Sequence, residues 1–234
     1  MKPTTLTALA ASALALSTML ALAEKGAELK PVLAKPGKLL AEDGFTTASL
    51  GKNWAANKGD WQVRDGTVVG KEKKSDEHPA VLLFAQPIRD AVMRVSFKLD
   101  GANNFNISLN HAKGHLFRVA VAADGLTLTK DKDKKDEASK PVQLGKASGK
   151  FEPGKWHTIL IETQGAKVSV QADNGAKLEA SHTTLDVEKT GYRFVMRGES
   201  LLLADLKVWQ ADSDSAKPAA ATTEAPVAKK KKKQ

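Results

Sequence analysis

Three carboxylates stand in or beside stretches of alternating apolar and polar residues: Glu162, Glu199 and Asp205. Two carboxyl groups brought about 5 to 10 Å apart from different strands can act as acid and nucleophile, or acid and base, at a glycosidic bond. These three and His111 are the candidate catalytic residues. His111 and His115 are four residues apart, a spacing that aligns two ligands only on a helix. Lys113-Gly114 between them marks a loop between strands, so the pair reads as acid–base groups or as contacts to a sugar edge. Asn106, Asn110, His115, Arg118, Arg193 and Arg197 are the candidate binding residues. If their strands are neighbours, amides and guanidinium groups line one sheet face, and such groups hydrogen-bond hydroxyls and carboxylates. The run Asp131–Glu137 resembles a calcium loop but lacks glycine at the sixth position and glutamate at the twelfth. It reads as a solvated loop, and neither a metal nor a cofactor is expected. Trp54, Trp61, Trp156 and Trp209 could stack on a ring, but Trp61 and Trp156 open strands and read as packing.

The elements that carry these residues are strands. Met93, Val95, Phe97 and Leu99 alternate with Arg94, Ser96 and Lys98. Phe105, Ile107 and Leu109 alternate with polar Asn106, Ser108 and Asn110, and Phe117, Val119 and Val121 enclose Arg118 and Ala120. Tyr192, Phe194 and Met196 alternate with Arg193, Val195 and Arg197, and Leu202 to Val208 closes the pattern. Period two is the signature of a strand with one buried face. Asp65-Gly66, Asp124-Gly125 and Asp173-Asn174-Gly175 supply hairpin turns. No amphipathic helix and no internal repeat is present in this pattern. About ten short strands joined by turns predict an all-β sandwich of two antiparallel sheets.

The order of these pieces is familiar. Trp61-Gln62-Val63-Arg64-Asp65-Gly66-Thr67-Val68-Val69-Gly70 resembles the opening of the 3-keto-disaccharide hydrolase domain family. Leu83-Phe84 followed by Ile88 to Leu99, Pro153-Gly154-Lys155-Trp156-His157-Thr158, and Leu203 to Val208 resemble its later strands. His157 stands where that family usually has Asn, and Ser96 where it usually has an acid. The resemblance spans Phe45 to Trp209. It implies a concanavalin A-like jelly roll, similar to laminin G-like domains and family 16 glucanases, and an activity on 3-keto-glycosides. The E-x-D-x-x-E run that carries the catalytic pair of family 16 glucanases does not occur here. A non-catalytic, lectin-like or scaffold module of a bacterial cell envelope is the alternative.

The N-terminal residues read as an export signal. Lys2, an apolar run from Leu6 to Leu22, and Ala21-Leu22-Ala23 read as a signal peptide over residues 1–23. Residues 24–44 read as a lead-in, 45–210 as the jelly-roll domain, and 211–234 as a disordered Ala/Pro/Lys-rich tail. The protein is therefore expected to be periplasmic or secreted, with no membrane span after signal cleavage. There are no cysteines, so no disulfide and no thiolate chemistry is available. The net charge of +9 includes the terminal block Lys229, Lys230, Lys231, Lys232 and Lys233. That block is expected to contact an anionic envelope surface, and the folded part a glycan.

Overall fold

The computed structural model describes residues 29–212. The expected signal peptide and nearly all of the expected tail, including Lys229 to Lys233, lie outside the described residues. Within them the chain forms fifteen strands: β1 (Pro36–Asp43), β2 (Trp54–Lys58), β3 (Asp60–Arg64), β4 (Thr67–Lys71), β5 (Ala80–Ile88), β6 (Ala91–Leu99), β7 (Ala102–His111), β8 (Gly114–Ala122), β9 (Gly125–Lys130), β10 (Val142–Ser148), β11 (Trp156–Gln164), β12 (Lys167–Ala172), β13 (Lys177–Ser181), β14 (Lys189–Gly198) and β15 (Leu201–Ala211). Two antiparallel sheets result. One runs β13-β12-β11-β6-β15-β4-β3, with β1 also paired to β15; the other runs β10-β9-β8-β7-β14-β5-β2. The all-β sandwich of two antiparallel sheets that the alternation predicts is the fold observed, in the jelly-roll form that the resemblance implies.

The inward residues of both sheets form one core. Phe97 of β6 and Phe105 of β7 meet across it with ring centroids 5.1 Å apart, and Phe151 and Phe194 extend the cluster. Each large side chain so buried contributes about 1.5–3 kcal/mol. With no disulfide available, this burial is what offsets the entropy of ordering the chain.

Local chemistry explains the hairpins. Asp65 and Gly66 both have positive φ, 48° and 72°, which a tight turn between β3 and β4 requires. Trp61 and Gly70 face each other in the ladder that follows. A Cβ on Gly70 would lie 2.2 Å from the Trp61 ring, so the glycine leaves room for the indole.

Two boundaries differ from expectation. β1 precedes Phe45, and β15 continues through Ala211, where the tail was expected to begin. The reason is a second, smaller core on the outside of the eight-stranded sheet. Ala34, Val92, Leu160 and Ala211 are buried together there, with Leu29 and Trp209 packed against them. Within the segment that reads as a lead-in, residues 29–35 form a strap across that sheet and Pro36–Asp43 joins it as β1 beside β15.

Candidate functional site

The outer face of the seven-stranded sheet gathers the candidate binding residues. Because inward positions on β7, β8 and β14 are apolar, their alternate positions point away from the core. Cross-strand register then sets the neighbours. Arg193 of β14 pairs with Ser108 of β7, Ser108 with Arg118 of β8, and Arg118 with Thr129 of β9. One row along, Val195 pairs with Asn106, Asn106 with Ala120, and Ala120 with Thr127. In the opposite direction Gly191 pairs with Asn110, and Asn110 with His115. Simple alternation along β8 would put His115 on the side of Phe117. A register shift beyond Leu109 instead sets it opposite Asn110, where Nδ1 and the Asn110 Oδ1 share a hydrogen bond of 3.0 Å.

The charges on this face are unevenly matched. The Arg118 guanidinium donates to the carboxylate of Asp131, which is buried at the end of β9. By sequence alone Asp131 belongs to a charged run that reads as solvated. The alternation Thr127, Thr129, Asp131 continues past the strand end and is the signal that places it on this face. Ser108, between the two arginines, is buried, while Arg193 is half-buried and Arg118 exposed. Burial first, and the nearby Arg118 charge second, press the Arg193 pKa downward, with Asp131 opposing. Burial and then Arg193 lower His115 as well.

The other candidates lie elsewhere. Arg197 is at the far end of β14, paired with Glu72 at 3.9 Å. His111 ends β7 at the hairpin to β8, opposite Gly114. Its pKa is lowered chiefly by burial, and Asp133 acts against that shift. Glu162 is fully buried beneath the strap on the other sheet and accepts backbone N–H groups from Val32, Leu33 and Ala34. Asp205 is a bulge residue of β15 with φ 48°. Glu199 lines an open cleft of about 480 Å³ with Arg64, Lys71 and Asp100. Register sets Glu162 opposite Val92 and Asp205 beside Ser96, two strands and about three positions apart, or roughly 14 Å between backbones. Glu162, held by the strap, and Asp205 therefore do not stand as a carboxylate pair across one glycosidic bond.

A polar pair absent from the candidate set lies near the end of β11. His157 Nε2 accepts the Glu152 N–H at 3.0 Å, so the ring proton sits on Nδ1, which donates to Asp173 Oδ1 at 3.2 Å. Asp173 Oδ2 accepts the Thr158 N–H at 2.9 Å, and the imidazole packs edge-on against Phe151. His157 is buried, the Asp173 side chain is largely withdrawn from solvent, and the two satisfy each other, so the pair holds the turn into β11. The tryptophans do not form a stacking platform on the arginine face: Trp54 and Trp61 are buried in the core, and Trp156 lies under Lys98 of β6.

No protein-family model matches the sequence, and no curated protein sequence matches it either. Solved structures do share the fold. A carbohydrate-binding module from Bacillus subtilis superposes with a TM-score of 0.55 at 11% identity, over 70% of this chain and 97% of that one. A non-specific endo-β-1,3(4)-glucanase of glycoside hydrolase family 16 gives 0.55 at 12% identity, over 77% and 97%. A laminarinase from a Flavobacterium species gives 0.54 at 11% identity, over 74% and 100%. At these identities the likeness is one of fold, the concanavalin A-like jelly roll.

Proposed function

We propose that this chain is an exported carbohydrate domain that holds a glycan on the outer face of β14, β7 and β8. One observation carries the reading. Residues that stand alone in sequence, Arg193, Ser108, Arg118, Asn106, Asn110 and His115, are adjacent on one sheet face by register. Carboxamides and guanidinium groups meet the alternating donors and acceptors of sugar hydroxyls. That two structural neighbours are glucanases and one is a carbohydrate-binding module is consistent with this use of the fold.

Binding is favoured over hydrolysis, because the carboxylate beside Arg193 and His115, Asp131, is engaged by Arg118. The resemblance to 3-keto-disaccharide hydrolases supplies the substrate class on which turnover should be tried. Export follows from the signal-like leader, and Lys229 to Lys233 would add a weak, salt-sensitive attraction to an anionic envelope.

The test is titration of the mature protein against a glycan panel that includes 3-keto-glycosides, with released sugar followed in parallel. Binding is expected to be lost in an Asn106→Ala, Asn110→Ala double variant whose melting temperature is unchanged. Release of sugar from a 3-keto-glycoside would establish catalysis instead. No glycan bound and no sugar released would overturn the proposal.

A further inference from the structure

Arg193 has no hydrogen-bond or ion-pair partner among the described residues, although it is half-buried near the middle of its sheet. A guanidinium presents five N–H donors and stays charged at physiological pH. Partly withdrawn from water and without a hydrogen-bond or ion-pair partner, such a charge carries a desolvation cost that Asp131, itself held by Arg118, only partly offsets. Its surroundings increase that cost. Arg118 stands two strands away in the same row, roughly 10 Å between backbones, and the acid facing both is held by Arg118. Lys134, in the loop after β9, approaches the β7–β8 hairpin with its Cδ 3.9 Å from a Cβ position on Gly114. The face therefore has an excess of positive charge centred on a residue whose donors are free.

The groups around Arg193 are neutral and suited to hydroxyls: Ser108 beside it, Asn106 one row along, Asn110 with its His115 partner one row back. We infer that Arg193 anchors an anion subsite within this face, and that the glycan held there is acidic, a sugar bearing a carboxylate or a sulfate ester. This rests on the glycan-binding reading above. The planar guanidinium fork takes two oxygens of the anionic group, while the carboxamides one row on either side take ring hydroxyls.

The experiment is affinity electrophoresis of the mature protein in gels containing polygalacturonate, its carboxyl-reduced form, dextran sulfate or dextran. One acidic polymer is expected to retard the protein and its neutral partner not, and the two acidic arms separate carboxylate from sulfate. Arg193→Gln should weaken retardation at least tenfold, the loss of about one charge-assisted contact. Lys38→Gln, which removes the same charge from β1 on the other sheet, should behave as the parent. Arg193→Lys keeps the charge and the fold while losing the fork, and should still weaken binding several-fold. Equal retardation by acidic and neutral polymers, or equal behaviour of the Arg193 and Lys38 variants, would overturn the acidic-glycan inference and leave glycan binding standing. Retardation by none of the four would overturn the inference too, and the neutral glycan panel then judges the broader reading separately.

Discussion

Glu162 Oε2 accepts the backbone N–H of Ala34 at 2.9 Å, across 128 residues of chain. The same oxygen takes Leu33 at 2.8 Å and Val32 at 3.0 Å. Gln171 closes the arrangement by donating to both Glu162 Oε1 and the Lys30 carbonyl. A carboxylate whose lone pairs are turned to a strap of its own chain is a clamp. It covers Val92 and Leu160 on the outside of a sheet that would otherwise expose them.

Removing the clamp should therefore register in stability. Glu162→Ala leaves three backbone donors beneath the strap without an acceptor, and the expected cost is about 3 kcal/mol. Denaturant unfolding measures it, and limited proteolysis should cut near Val32 sooner in the variant. An unchanged unfolding midpoint with glycoside turnover abolished would return Glu162 to a catalytic role.

His157 and Asp173 should also act as a structural unit. His157→Phe keeps an aromatic ring beside Phe151 but strands the Glu152 N–H and one Asp173 oxygen. A loss of about 2 kcal/mol is expected, because buried polar groups lose their partners while the packing persists. A combined His157→Phe, Asp173→Asn variant should cost less than the separate effects added together.

Lys189 predicts a pH dependence of folding. Its ammonium is buried and donates to the carbonyls of Arg89 and Val187. Burial lowers its pKa below the ordinary 10.5, with Asp90 opposing. The folded protein therefore releases this proton at a lower pH than the unfolded chain does. Stability from this group rises as pH climbs from the lowered value toward 10.5, and is constant below it. Subtracting the stability profile of Lys189→Met from that of the parent should reveal this rise, and a flat difference would contradict it.

The acid side of the pH range should act on the binding face. His115 is faced by Asn110 of β7, Arg193 of β14, Arg118 of β8, and Asp131 and Lys134 of the following loop. Its pKa lies below 6.5 because burial and Arg193 disfavour the charged ring. An acidic ligand favours that charged form, so it should bind more tightly as pH falls below the ordinary histidine value, with uptake of a proton. His115→Gln should remove this acid tightening. Affinity for polygalacturonate that is flat or weaker between about pH 7 and pH 5 in the parent would contradict the role.

Much of this protein is determined by local alternation. The period of two marks β6, β7, β8 and β14, and it assigns Asn106, Arg118 and Arg193 to outward positions before any neighbour is known. Asp65-Gly66 sets a hairpin turn, and with the turn placed, Trp61 must oppose Gly70. These features are legible because side-chain direction in a strand depends on parity and turn geometry on a few residues. What parity leaves open is which strand lies beside which. Only the folded sheet puts β14 between β7 and β5, so that Arg193 meets Ser108 across 85 residues of sequence. Only the register shift in β8 moves His115 opposite Asn110, and only the strap turns Glu162 from a candidate acid into an anchor. Such pairings are chosen by burial summed over whole sheet faces, a quantity that belongs to no segment of sequence taken alone.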